Sequence, residues 1–262
     1  MNKTELKKFA VEARRDLLEK VALKAEQYGI TKENSELTIE ENYGQLIVNG
    51  KTFPLDLKHA LRTLQNRLNT VGYEQLIEEV AYTWFNRIIA IRYMEVNNYL
   101  PDRVNVLSSS SGKNEPDILL QYETMNLDID EKQIKDLIHK GDNEQAYRKL
   151  FIAQCNALNQ LLPFLFERIE DYTELLLPDY LLDQESIIRK IVNELSDENF
   201  YQIQEDGSPK DNVEVLGWLY QYYNTEPKDK IFNNLKKNIK VDRVNIPAAT
   251  QLFTPDWIVR YM

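Results

Sequence analysis

Pro116-Asp117, followed by Asp130-Glu131-Lys132, is the spacing in this sequence that most closely imitates a reactive site. In a nuclease of the PD-(D/E)-x-K type, two acidic groups hold magnesium while the lysine positions the attacking water. That chemistry needs the second group on a strand adjoining the first. Here Asp130 is followed by Gln133 and by the helical period Ile134, Leu137, Ile138, so local grammar makes Asp130 an N-cap with a capping-box partner. A metal-dependent nuclease stays only as the least favoured alternative.

Other candidate groups are weaker. Ser111-Gly112-Lys113 follows the strand-like Val104-Asn105-Val106-Leu107, as a phosphate-binding loop would. The places of the first glycine and the magnesium-binding hydroxyl are taken by Leu107 and Asn114, so the cradle cannot form. His59 and His139 fall on separate predicted helices, far apart in sequence, and the single cysteine cannot complete a zinc set. Cys155 sits in an apolar helical run and reads as a buried thiol. Glu40-Glu41 and Glu78-Glu79 read as solvated faces rather than acid–base pairs. No catalytic or metal-ligating residue is expected.

The 262 residues are 43% hydrophobic, enough for a sizeable core. Eight glycines and nine prolines are few for this length, which disfavours a loop-rich β fold or a disordered chain. One cysteine excludes an internal disulfide framework, the charged stretch Met1 to Lys8 runs straight into an amphipathic helix, and no run reaches a membrane span. A cytoplasmic protein is expected. A formal net charge of −10 argues against strong general binding of nucleic acid by this chain. Positive charge is concentrated at Lys228, Lys230, Lys236, Lys237, Lys240 and Arg243, set against Asp229 and Asp242. That run is the weak candidate for DNA contact, with a solvated helix face as the commoner explanation.

The elements that must position these groups are mainly α-helical. Leu6, Phe9, Ala13, Leu17 and Val21 predict a helix over 4–28 that Gly29 stops. Alternation from Leu37, with Asn49-Gly50, predicts a small β-hairpin near 37–53. Asp56 is expected to cap a helix through Leu68, and Gly72 precedes a long one through Trp84, Phe85 and Ile91. Ser108 to Gly112 reads as a flexible connection. Helical periodicity returns after Asp130, with further helices near 184–195, 211–223 and 228–238, and a turn at Asp206-Gly207-Ser208-Pro209. The organisation expected is a helical subdomain 1–100, an irregular linker 101–129, a second helical subdomain 130–245, and a final segment 246–262.

That final segment opens a new element. Thr254 is placed as N-cap and Pro255 as the first helical residue, with Trp257, Ile258, Tyr261 and Met262 as an apolar face. The helix has about two turns and no C-cap, so a truncation at Met262 is expected, with a further domain beyond it. Gln251-Leu252-Phe253-Thr254-Pro255 resembles the Q-F-Y/F-T-P element that precedes the cofactor-binding strand of N6-adenine DNA methyltransferases. Tyr73 to Arg87, Arg92-Tyr93-Met94-Glu95 and Gly217-Trp218-Leu219-Tyr220-Gln221-Tyr222-Tyr223 are similar to the N-terminal region of PglX-like adenine-specific methyltransferases of BREX phage-defence systems. The resemblance covers essentially the whole chain.

It implies a multi-helix N-terminal region ending at the start of a Rossmann-like methyltransferase domain. In the full-length enzyme it implies methyl transfer from S-adenosylmethionine to double-stranded DNA, with other BREX proteins as possible partners. Phe253, Thr254 and Pro255 match the family element that lies on the cofactor, and are expected here to be disordered or packed on unrelated surface. Two working parts are absent. No two glycines lie within three residues of each other, so no dinucleotide-type turn can form, and there is no Asn-Pro-Pro-Tyr or Asp-Pro-Pro-Tyr. The chain is expected not to methylate DNA by itself. Its role is read either as DNA positioning through the Lys228 to Arg243 run, or as docking through Trp218, Tyr220, Tyr222 and Tyr223.

Overall fold

Asn2 starts the first helix by accepting a hydrogen bond from the Glu5 amide (3.2 Å) on its side chain. The computed structural model describes residues 1–163, 166, 171–241, 250 and 252–261. Helix α1 (Lys3–Gln27) buries Leu6, Phe9, Ala13, Leu17 and Val21, and Gly29 ends it at φ +76°. Strands β1 (Ile39–Asn42), β2 (Gln45–Val48) and β3 (Lys51–Phe53) form an antiparallel sheet in that order. Asn49 and Gly50 both take positive φ in the β2–β3 turn, as a primed two-residue hairpin requires. Tyr43-Gly44 makes a second such turn, so the predicted hairpin is a three-stranded meander. Asn49 also fastens the sheet to α1 by donating to the Gly29 carbonyl (3.0 Å).

Helix α2 (Lys58–Val71) leads through Gly72 into α3 (Tyr73–Val96), the centre of the molecule. Asp56 does not cap α2; it lies in the short 3-10 turn Leu55–Leu57, which feeds the helix without a side-chain cap. In α3 the residues from Arg87 to Glu95 are buried on every side, the signature of a helix enclosed by neighbours. Trp84 packs on Phe151 at 5.9 Å between ring centres and donates its indole N–H to the Thr173 carbonyl (3.1 Å). Helices α4 (Ile118–Gln121), α5 (Glu131–His139), α6 (Asn143–Asn159), α7 (Asp171–Leu175) and α8 (Ile187–Glu194) follow. Their starts are locally written: Asp130, Asp142 and Ser186 each accept from an amide three residues on.

Val104–Leu107, strand-like in composition, forms no strand, because the Val106 and Leu107 amides are claimed elsewhere. Buried Glu95 accepts from the Val106 and Leu107 amides (2.9 Å each), from Ser108 Oγ, and from Arg92 (2.7 Å). The Ser108 to Gly112 run is held too, since Asp117 accepts from Ser109 Oγ and the Ser110 amide (2.8 Å each). Strands β4 (Tyr201–Ile203) and β5 (Pro209–Asp211) pair antiparallel around the Asp206-Gly207-Ser208-Pro209 turn, which joins strands and not helices. Helices α9 (Glu214–Tyr223), α10 (Thr225–Lys236) and α11 (Asp256–Tyr261) complete the described chain. Buried side chains from Leu6 to Tyr223 form one contiguous core. No described helix is long and apolar enough to cross a membrane.

Candidate functional site

Helix α9 presents two faces. Val215, Leu219 and Tyr223, four residues apart, enter the core, where Tyr223 meets Phe85 (4.4 Å) and Tyr82 (5.3 Å). Gly217 and Gln221 form a neighbouring stripe beside Trp218. The ring of Phe253 lies in that stripe: a Cβ on Gly217 would stand 2.0 Å from Phe253 Cδ2. Trp218 closes one side, edge-on to Phe253 at 5.3 Å and 68°. The Phe253 amide donates to Gln221 Oε1 (3.0 Å). A glycine inside a helix costs about 1 kcal/mol relative to alanine, and close approach of an aromatic ring explains that cost here. Gly217 was not among the expected site residues; its signal was an isolated glycine inside a helical pattern.

Phe253 is half-buried in this seat, Pro255 is half-buried, and Leu252 and Thr254 are exposed. The terminal helix begins at Asp256, one residue later than the Thr-Pro grammar implies, with the Pro255 carbonyl accepting from Ile258 (3.0 Å) and Val259 (3.3 Å). Val259 and Tyr261 of that helix are exposed. Gln251, Met262 and the side chain of Trp257 lie outside what is described.

The other expected groups are dispersed. At 100° per residue, Lys228 and Lys236 fall within about 80° of each other on α10, while Lys230 points away from both. Lys228 is half-buried, Lys230 bears electrostatically on Glu74 and Glu78, and Lys236, Lys237 and Lys240 are exposed at the end of the helix and beyond it. Arg243 lies outside the described residues. Tyr223 is core, whereas Trp218 and Tyr222 are partly exposed and stack at 5.7 Å. Tyr220 is partly buried, and its hydroxyl finds no hydrogen-bond partner among the described residues.

Groups with reactive potential are structurally committed. Burial pushes the Cys155 thiol up to about 12, which suppresses the thiolate. His59 and His139 are exposed on α2 and α5. Glu79 is clamped by Arg67 (2.9 and 2.7 Å), and Glu78 pairs with Arg14, although burial still raises its carboxyl above the usual range. Asp130 is an exposed N-cap, while Asp117 holds the serine turn. Among the described residues no group of three His, Cys, Asp or Glu is placed to hold a metal ion.

Positive charge collects at a place the sequence reading did not single out. Lys3, Lys7, Lys8 and Arg15 of α1 line a groove of about 520 Å³ with Thr4, Val11, Glu12 and Tyr222. Lys3 Nζ stands 4.0 Å above the Trp218 ring, so this groove adjoins the Phe253 seat.

No protein-family model matches the chain. Two curated proteins are similar to it along its whole length. The adenine-specific methyltransferase PglX of Lacticaseibacillus casei strain Zhang is 43% identical over 288 aligned residues, covering 100% of this chain and 22% of that protein. The adenine-specific methyltransferase BrxX of Escherichia coli O9:H4 strain HS is 37% identical over 276, covering 100% and 21%. The chain therefore spans about a fifth of the length of these relatives, in their N-terminal part.

Proposed function

Because the chain matches the N-terminal region of PglX and BrxX adenine-specific methyltransferases from end to end, we propose that it is the N-terminal module of a DNA-modifying enzyme of this kind. The whole enzyme would transfer a methyl group from S-adenosylmethionine to the N6 of adenine in double-stranded DNA, in the cytoplasm, as part of a BREX phage-defence system. The module itself is non-catalytic. Its work is to seat the segment that leads into a Rossmann-like catalytic domain, and the parts read as 1–100 and 130–245 act as one platform for it. Other BREX proteins are further candidate partners for its surface.

The observation that supports this reading is the seat of Phe253 on Gly217, Trp218 and Gln221. S-adenosylmethionine supplies an electrophilic methyl group when bound. What this chain contributes is position. Phe253 is turned onto α9 as the anchor, which leaves exposed Thr254 and the adjoining Pro255 as the part of the element that would lie against the cofactor. A loop anchored through a buried ring and a backbone hydrogen bond has less conformational entropy to lose when ligand binds. Docking is favoured over DNA positioning by Lys228 to Arg243, because Lys228 is half-buried and Lys230 points away from it and bears on Glu74 and Glu78.

The test uses the longer enzyme carrying this chain. Gly217→Ala fills the seat with a methyl group and should weaken S-adenosylmethionine binding about tenfold or more in calorimetry, with a parallel loss of methyl transfer. Unchanged affinity and turnover would remove the reading.

A further inference from the structure

We propose that the groove between α1 and α9 binds a nucleic-acid backbone, with Lys3, Lys7 and Lys8 contacting phosphates and Tyr222 forming its apolar wall. The inference rests on the reading of the chain as part of a DNA-modifying enzyme and gives that enzyme a substrate-holding surface outside the catalytic domain.

Lys3, Lys7, Val11 and Arg15 recur every fourth residue, which sets them along one stripe of α1 about 18 Å long. Lys8 flanks the stripe. Arg15 is engaged by Glu226 through Nε (2.9 Å) and Nη2, and Glu12 is the one carboxylate in the lining. Among the described residues, Lys3, Lys7 and Lys8 make no ion pair, and all three are exposed. Glu5, the acidic residue between them in sequence, is turned away to the Ser196 amide (2.8 Å) and Asn199 (2.9 Å).

The arrangement runs against local preference. Cations in the opening turns of a helix face the positive end of its dipole, so their presence there costs stability unless something else uses them. In a chain of net charge −10, unpaired lysines gathered at one groove form a local attractor for a polyanion. Ammonium groups act as point charges on phosphate, and a partly exposed tyrosine gives sugars and bases an apolar surface. The aromatic wall favours nucleic acid over an acidic polypeptide.

The experiment measures binding of a short labelled DNA duplex to the 262-residue protein by fluorescence anisotropy across a salt series. K7E/K8E should weaken binding about tenfold or more and reduce the slope of log affinity against log salt by about two. Both positions are exposed, and glutamate suits a helix start, so the variant keeps its fold. K236E/K237E, on the other basic run, should change affinity less than about twofold. An absence of salt-dependent duplex binding, equal loss in both variants, or poly-glutamate binding in place of DNA would overturn the proposal. K7E/K8E should leave S-adenosylmethionine affinity of the longer enzyme unchanged. Loss of the groove effect with the Gly217→Ala effect intact therefore removes the groove alone.

Discussion

Phe253 occupies the space that a side chain on Gly217 would need, with its ring Cδ2 2.0 Å from the position of the missing Cβ. A side chain at position 217 and the Phe253 ring therefore exclude one another, and the glycine is what lets the C-terminal segment lie on α9. In the isolated chain, Gly217→Ala should expel the ring. Hydrogen exchange at the Phe253 amide, now bonded to Gln221, should accelerate. The alanine would add about 0.5–1 kcal/mol to helix stability if nothing else changed. Retained protection of that amide together with the full helix gain would show that the contact is dispensable.

Glu95 is the acceptor on which the segment after α3 depends. It takes hydrogen bonds from two successive backbone amides, a serine hydroxyl and Arg92, which in turn reaches Asp197. Glu95→Ala strands these buried donors and should cost about 3–5 kcal/mol in urea unfolding. A loss below about 1 kcal/mol would mean the donors readily find other partners.

Two buried tyrosines should respond oppositely to loss of the hydroxyl. Tyr147 donates to the Val106 carbonyl (3.0 Å), so Tyr147→Phe should cost about 1 kcal/mol. The Tyr223 hydroxyl has no partner among the described residues, so Tyr223→Phe should be neutral or stabilising by up to about 1 kcal/mol. Thermal melts of the two variants side by side give the comparison, and a larger loss for Tyr223→Phe would contradict it.

Asp117 should contribute acid-sensitive stability. Burial alone would raise its carboxyl, but hydrogen bonds from Ser110 and Ser109, with Lys113 nearby, outweigh that and hold it below the usual carboxylate range. A carboxyl depressed on folding stabilises fully above its unfolded value, about pH 4, and loses that contribution as pH falls through the folded value. The gap in melting temperature between the natural protein and Asp117→Asn should be widest near neutrality and close below about pH 4. A gap independent of pH would show that the effect is packing and not charge.

Much of the frame was legible because it is local. Gly29 ends α1, Asn49-Gly50 turns the hairpin and Asp130 caps α5, each through bonds spanning a few residues that the residue types announce. Asp206 to Pro209 was correctly a turn but assigned to the wrong neighbours, because β4 and β5 are three residues each, too short for an alternating pattern to show, and bury neither face. Val104 to Leu107 has strand-like composition, yet Glu95 on α3 claims its Val106 and Leu107 amides.

The amino-acid order alone determined a mainly helical chain, its hairpin, its helix starts and the kinship carried by its motifs, because turn chemistry and apolar period act over short separations. Only the tertiary structure decided which residues work together. Lys3 meets Trp218 and Phe253 meets Gly217 across long stretches of chain. Such contacts are set by how helix faces pack, and no spacing rule within one element encodes them.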